Sequence, residues 1–465
     1  MEMNWQVALL PRTVVPKFVW LVMCAAITAA VWSTFAAPDV DAQQKAAPTF
    51  AGSPMASCSS AGCHGGGNVG RVGSEQTTWA TGDPHARAYR VLYNEESLRI
   101  TKSLRKGDPN RPDAHRDASC LACHTSGANA CFDGTTLTNA TDGVGCDACH
   151  GASASWLTKH YESGWKSLSS EAKLHQYGFQ PTKNLFARIG TCVGCHVGDA
   201  TREVTHDLIA AGHPRLAFET ARYHFAPNYA KHWTESVPSR SFEIRTWAIG
   251  QIVAAKAAID LLPARTLRDN EIRRELAEQS CFACHKSLGT AARTDASRGR
   301  PDWQPWYLAV LPVVAAEAPS LFPGISSPDL EPIRSLVAEM RNENPNTARV
   351  RTLSRQSSQL LKDWMSDLRW ETQSDSHLTP ERLRQLVIAI CRSADAETEW
   401  DRVAPHYLAL AAIRHADGSA VPGWDATLAK LKDRINYPMG TNSPKRYDAA
   451  EVRDLFRELR RRAEQ

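Results

Sequence analysis

The apolar residues in the last third of the chain recur with a helical period. Three stripes show this period, formed by Leu353, Leu360, Leu361, Trp364 and Leu368, by Leu383, Leu386, Val387, Ile390 and Cys391, and by Val452, Leu455, Phe456 and Leu459. Thr379, Pro380 and Glu381 precede the second stripe and form a typical helix start, with Thr as the cap and Pro in the first turn. This pattern predicts an α-helical domain over residues 291–465.

Residues 46–290 have a different character, because loop-forming residues interrupt them repeatedly. Examples are Gly-Gly-Gly-Asn at residues 65–68 and the pair Asp133 and Gly134. We therefore predict short helices joined by loops in this part. The fold class predicted for the whole chain is mainly α.

The first 45 residues have the pattern of an export signal. Arg12 and Lys17 precede an apolar run over residues 18–37, and small residues follow. The run is about 20 residues long, which is enough to span a bilayer, so a retained membrane anchor is the alternative. Cys24 follows Met23 and not a small residue, which disfavours a lipoprotein cleavage site.

Five cysteine pairs, each followed at once by a histidine, dominate residues 46–290. They are Cys58 and Cys63 with His64, Cys120 and Cys123 with His124, Cys146 and Cys149 with His150, Cys192 and Cys195 with His196, and Cys281 and Cys284 with His285. The pattern is typical of covalent haem attachment, because two thiols add to the two porphyrin vinyl groups while the adjoining His reaches the iron. The sequence therefore predicts five covalently bound c-type haems, which would replace much of the ordinary side-chain core.

Zinc sites and disulfides are the competing interpretations of these cysteines. Structural zinc sites combine two Cys pairs, or one pair and two spaced His, around one ion. Here every pair has its own histidine, which favours haem. The first motif has four residues between its cysteines and not two, and we expect the extra residues to form a bulged turn.

Net charge changes little in this picture. The 465-residue chain has a formal charge of +4, but five haems would add about ten propionate groups and leave the protein near minus six. Nothing in this balance points to nucleic acid.

Histidines outside the motifs are candidates for the second axial position of each iron. Thirteen of the 16 histidines lie before residue 290. The favoured ligands are His85, which lies between Trp79 and Tyr89, His160, which follows the third motif, and His213, whose following Pro helps to fix the backbone. His206 is a further candidate. His115, His175, His224 and His232 are less favoured.

The remaining chemically interesting groups are expected to be structural. Cys391 lies on an apolar stripe, which predicts a buried thiol. His406 and His415 lie in a helical segment without a haem motif, and Cys131 has neither a partner cysteine nor a following histidine.

Part of residues 46–290, which we call the motif region, resembles the cytochrome c-554 family of multihaem cytochromes. The resemblance rests on residues 58–89, 120–127 and 143–151, with 192–198 and 212–214 similar to extended relatives. It implies closely stacked haems with two His ligands each and electron shuttling in the periplasm, in some members from hydroxylamine oxidation. By motif order it also implies that the haem on His124 is the one that can lack a distal ligand. The longer first motif, the fifth motif and the C-terminal helices depart from the family pattern.

Together these features predict an exported, periplasmic carrier that passes electrons along its haems between a donor and an acceptor protein. The alternative is an oxidoreductase in which one open haem acts on a small nitrogen or sulfur compound. A third interpretation is a membrane-tethered structural subunit of a larger redox complex.

Overall fold

The structure is a computed structural model that describes residues 58–126, 142–226, 232–233, 239–269, 275–281, 302–368, 378–437 and 447–465. The predicted export signal or anchor lies outside the described residues, as do Cys131, Cys284 and His285. Residues 49–465 form one compact unit.

The described part of the chain is built from α-helices and contains no strand, which confirms the predicted fold class. In chain order the helices are α1 (Glu75–Gly82), α2 (Glu95–Leu104), α3 (Ala118–His124), α4 (Cys146–His150), α5 (Ser170–Tyr177), α6 (Leu185–His196), α7 (His206–Ala210), α8 (Thr220–His224), α9 (Arg240–Asp269), α10 (Pro305–Leu308), α11 (Leu311–Ala316), α12 (Ala318–Leu321), α13 (Glu331–Arg341), α14 (Thr347–Leu368), α15 (Pro380–Asp395), α16 (Trp400–Ala416), α17 (Asp425–Ile435) and α18 (Ala449–Glu464).

Helices α1 to α8 are short and carry few buried apolar side chains. A small cluster of Tyr89, Leu92, Ala114 and Leu121 packs separately from the main core. Loops and 3-10 turns join these helices, as the glycine-rich stretches predicted.

Helix α9 is the long central helix of the molecule. Trp247, Ile252 and Ile259 on it are fully buried, and a Cβ added at Gly250 would lie 2.3 Å from the Thr220 hydroxyl, so α8 approaches this backbone closely. Residues 240–265 are also long and apolar enough to cross a membrane by length and composition, and no other described segment is. A buried core helix meets the same criteria, and 67% of this apolar stretch is buried in the protein.

The C-terminal helices have the predicted apolar faces. The central residues of all three stripes are buried, and Leu353, Leu360 and Leu455 at their edges are partly buried. Thr379 caps α15 by accepting a hydrogen bond from the Arg382 N–H at 3.3 Å, with Pro380 in the first turn. The predicted helix start is therefore confirmed.

The hydrophobic core crosses residue 290, where the domain boundary was predicted. It begins at Phe186 on α6, continues through α9 and ends at Ala463 on α18. Trp306 donates to the Phe218 carbonyl at 3.0 Å, so side chains beyond residue 300 also hold the backbone of the motif region. The two predicted domains thus differ in their cysteine motifs but share one core.

Candidate haem-binding site

Three of the cysteine motifs form the last turn of a helix. Helix α3 ends at His124, α4 at His150 and α6 at His196. On an α-helix, residues at i, i+3 and i+4 lie on the same face, so the two thiols and the imidazole of each motif project together. The local fold therefore presents all three haem-bonding groups to one side.

The longer first motif forms a turn. The Cys63 and Gly65 N–H groups both donate to the Ser60 carbonyl, at 2.9 Å and 3.0 Å. A Cβ at Gly65 would lie 2.0 Å from the Ser59 carbonyl oxygen, so glycine is required there. The extra residues are accommodated as the expected bulged turn.

The described cysteines do not form the competing kinds of site. None of the ten described cysteines is in a disulfide. Within the described ranges no group of three or more His, Cys, Asp or Glu side chains is arranged to hold a metal ion. Neither a disulfide framework nor a zinc cluster is present in this part of the protein.

Four motif histidines each face a histidine from elsewhere in the chain. The pairs and their ring-centre distances are His64 with His160 (6.2 Å), His124 with His213 (6.5 Å), His150 with His232 (6.5 Å) and His196 with His85 (6.0 Å).

This spacing fits two axial ligands on one iron. A metal–imidazole bond is about 2 Å long and the ring centre lies about 1 Å beyond the nitrogen, so two opposed imidazoles have centres about 6 Å apart. Direct ring stacking would bring the centres closer, as in the 4.3 Å pair of Tyr93 and His115. The ring-centre distances of the four histidine pairs therefore match those expected for two imidazoles on one iron.

Hydrogen bonds at Nδ1 orient five of these eight rings. The acceptors are Glu75 Oε2 for His64 (2.9 Å), Asp83 Oδ1 for His85 (2.9 Å), and the carbonyls of Ala88 for His124 (2.8 Å), Leu157 for His160 (2.6 Å) and Pro214 for His213 (2.7 Å). Since carbonyl and carboxylate oxygens only accept, Nδ1 carries the proton and Nε2 keeps its lone pair. Metal-ligating histidines have this second interaction almost always.

Burial keeps several of these imidazoles neutral. It lowers the pKa of His150 and of His196 to about 4, and it also lowers the pKa of His124, His213 and His232. A neutral imidazole is the form that coordinates iron.

His85 differs from the other buried histidines. Burial opposes the charged form of its ring, but the hydrogen bond and charge of Asp83 outweigh this effect and raise the pKa. The same carboxylate accepts the His85 backbone N–H at 2.9 Å, so Asp83 starts the 3-10 turn and fixes the ring within it.

The favoured sequence candidates His85, His160 and His213 thus all face a motif histidine. The haem on His124 was expected to be the one that can lack a distal ligand, but His213 comes from a distant loop to face His124. His206 begins α7, and its N–H donates to Glu275 Oε1 at 2.7 Å, just ahead of Cys281. The fifth motif lies largely outside the described residues, so no ring is assigned to His206 by distance.

The sequence placed His232 among the less favoured candidates, but its ring faces that of His150. It comes eight residues after the end of α8 and has no motif beside it. Tertiary contacts of Arg188 distinguish it from His224. The Arg188 guanidinium donates a hydrogen bond to His224 Nε2 at 2.9 Å. The same guanidinium lies 4.0 Å from the ring centre of Trp233, the residue after His232. This buried cluster engages His224 and leaves His232 to face His150.

The structural assignments in the helical region are supported. Cys391 is 1% exposed, and burial raises its pKa to about 12. His406 is fully buried between the Arg402 carbonyl (2.7 Å) and the Ser393 hydroxyl (3.0 Å). His415 Nδ1 is hydrogen-bonded to Glu243 Oε2 at 2.6 Å.

Comparison with known proteins agrees with this geometry over the first three motifs. Residues 57–151, roughly a fifth of the chain, match the family model described as cytochrome c554 and c-prime. No curated protein and no solved structure matches the chain. The match confirms the predicted resemblance and, with it, a c-type cytochrome that binds haem covalently and takes part in electron transfer.

Proposed function

We propose that the protein is an exported five-haem cytochrome c that moves electrons one at a time along a chain of haems with two histidine ligands each. The observation that carries this proposal is the set of four histidine pairs with the spacing of axial ligands. The porphyrins supply the redox chemistry, while the protein sets their ligands, spacing and exposure.

The pairs give each of four haems its ligands. In motif order these are His64 and His160, His124 and His213, His150 and His232, and His196 and His85. For the fifth haem, on Cys281, Cys284 and His285, we propose His206 as the distal ligand. The support is that α7 packs against the 3-10 turn Leu276–Glu278, which directly precedes this motif.

The spatial order of the motifs supports a continuous electron path. The Cys58 side chain lies beside that of Cys146, and the Cys123 side chain lies beside that of Cys195. Helix α4, which ends the third motif, also packs against α6, which ends the fourth. The first and third motifs are therefore neighbours, the second and fourth are neighbours, and the third and fourth join the two pairs.

The ligand pairs favour a carrier over an enzyme. An iron with two imidazoles has no open position for a substrate, and the haem expected to be open by motif order has His213 across from His124. The partners of such a carrier are a donor and an acceptor redox protein. Export to the periplasm is proposed from residues 1–45, with retention of the apolar run as a membrane anchor the alternative.

Spectra of the purified holoprotein test the proposal. Intact-mass measurement should give five haems per chain, and electron paramagnetic resonance should give low-spin iron throughout. A high-spin iron that binds added cyanide would contradict the electron-carrier function and favour the oxidoreductase. A haem count that does not change in the double variant Cys58→Ala and Cys63→Ala would remove the first motif from the proposal.

A variant that lacks residues 1–45 tests export, because covalent haem attachment takes place outside the cytoplasm. We expect this variant to carry no haem. Normal haem content in the truncated protein would contradict the proposed export, and cell fractionation of the full chain separates a free periplasmic protein from an anchored one.

A further inference from the structure

One buried carboxylate from the C-terminal helices binds two separate parts of the motif region. Asp401 lies on α16 and is fully buried. Its Oδ1 pairs with the Arg215 guanidinium, and its Oδ2 accepts a hydrogen bond from the Ser280 hydroxyl at 2.9 Å. The two partners are far apart in sequence, so Asp401 brings their segments together.

Each partner is next to a haem-bonding residue. Arg215 is two residues after His213, whose ring donates to the Pro214 carbonyl at 2.7 Å. Ser280 directly precedes Cys281, the first cysteine of the fifth motif. The loop that carries one distal histidine and the start of the last motif are therefore both fastened to Asp401.

Because the Arg215–Asp401 pair is buried, its two side chains cannot easily separate. The side chains of Arg215 and Asp401 are 7% and 0% exposed, and the Trp306 ring centre lies 6.0 Å from the guanidinium carbon. A buried charge that loses its partner is strongly unfavourable, so neither group can move away without the other.

A second buried bridge joins the same two segments. Arg265 on α9 pairs with Glu203, three residues before His206, and with Glu278, three residues before Cys281, at 2.7 Å. Glu278 in turn accepts from the Trp303 indole at 2.9 Å. Residues 203–215 and 275–281 are thus held against each other at several points, and Asp401 adds a contact to both segments from α16.

We propose that Asp401 is a positioning residue that holds the haem on His124 and the haem on Cys281 in one fixed frame. The inference rests on the proposed five-haem function, because it concerns two of those haems. It gives the helical region a role in electron transfer: this region sets the geometry of two neighbouring sites without touching a haem iron itself.

The test uses the holoprotein and signals resolved for each haem. The low-spin resonances of the two haems are first assigned by their loss in His213→Ala and in His285→Ala. In Asp401→Asn, which keeps the size of the side chain but removes its charge, we expect the resonances of those two haems to shift while the other three stay in place. The control is Asp395→Asn, because Asp395 pairs with Arg457 at 2.8 Å within the C-terminal helices, and all five resonances should be unchanged.

Ser280→Ala is the milder variant, and it keeps the proposal testable if Asp401→Asn does not accumulate. It removes the hydroxyl bound to Asp401 but leaves Arg215 paired, so only the fifth haem should shift. The proposal is overturned if both variants have the wild-type spectrum, or if all five resonances shift together, as general loosening would cause. The spectrum of the wild-type protein is recorded before any variant is made. If it does not show five low-spin haems, it contradicts the proposed function and not the role of Asp401.

Discussion

The motif region and the C-terminal helices are each stabilised in a different way. Between residues 58 and 126 the buried apolar residues form only the small cluster around Leu92 and Leu121. Beyond residue 302, helices such as α15 bury an entire face of aliphatic side chains. The comparison teaches that residues 58–126 have little side-chain core and would use their cofactors as core material, while the C-terminal helices bury a core of their own side chains.

The largest expected effect comes from leaving the haems out. Protein made without covalent haem attachment should lose amide protection across residues 58–177, since little apolar surface is buried there without porphyrin. Helices α14 to α18 should stay protected, because their core is made of side chains. Hydrogen exchange followed by mass spectrometry measures both regions in one sample, with the holoprotein as reference. Equal loss of protection in both regions would break the comparison.

Loss of one distal ligand is the next largest effect. His232→Ala should convert one haem from low spin to high spin, because a methyl group cannot coordinate iron in place of the imidazole that faces His150. His224→Ala is the matched control, since this ring is also buried but its Nε2 is bound by Arg188. Electron paramagnetic resonance should show a new high-spin signal in the first variant alone. The same signal in the control would withdraw the assignment of His232.

The contrast between these two histidines shows where sequence reasoning ends. The spacing of each motif directly encodes the chemistry of attachment, and the period of three or four residues predicts the C-terminal helices, because both are local. The partner of each motif histidine is not local. His85 lies soon after the first motif but faces His196 of the fourth, and His124 is matched by a residue from a distant loop. Such pairs depend on tertiary packing, which no local pattern records.

The core shared across residue 290 also could not be predicted from a local sequence pattern. The change of composition near residue 290 is real, but Trp306 and Asp401 reach back across it to hold Phe218 and Arg215. Composition reports what a segment is made of, whereas these contacts depend on which segments meet.

A core truncation in the C-terminal helices should lower stability without changing the haems. Phe456 on α18 is fully buried, so Phe456→Ala should reduce the free energy of unfolding by about 3–5 kcal/mol. Arg461→Ala on the same helix is the exposed control and should change it by less than about 0.5 kcal/mol. Denaturant unfolding followed by circular dichroism gives the stability. A changed haem spectrum in Phe456→Ala would show that the packing of α18, and not only the Asp401 contact, affects the haem sites.

A pH-dependent effect is expected where the two regions meet. Burial raises the pKa of Glu219, ahead of α8, to about 7, although the N–H groups of Ala221 and Arg222 donate to its carboxylate. The unfolded carboxyl titrates near 4.5, so between pH 4.5 and 7 the folded state binds more protons. Its contribution to stability is full below this window and declines by roughly 3 kcal/mol as pH rises through it. Unfolding midpoints from pH 4 to 8 should show this decline, and Glu219→Gln should remove it; an unchanged slope in that variant would contradict the assignment.

The smallest expected effect concerns the helix cap that the sequence predicts at the start of α15, in the C-terminal helices. Thr379 caps α15 through a long hydrogen bond of 3.3 Å from the Arg382 N–H, and Pro380 already fixes the first turn. Thr379→Ala should therefore cost about 0.5–1 kcal/mol of unfolding free energy, at the low end for a lost cap, and Thr379→Ser should restore it because the oxygen returns. Denaturant unfolding with the haem absorbance recorded in parallel measures both regions. Because α15 is stabilised mainly by its buried face, a loss above about 2 kcal/mol would mean that the cap, and not the packing, holds this helix.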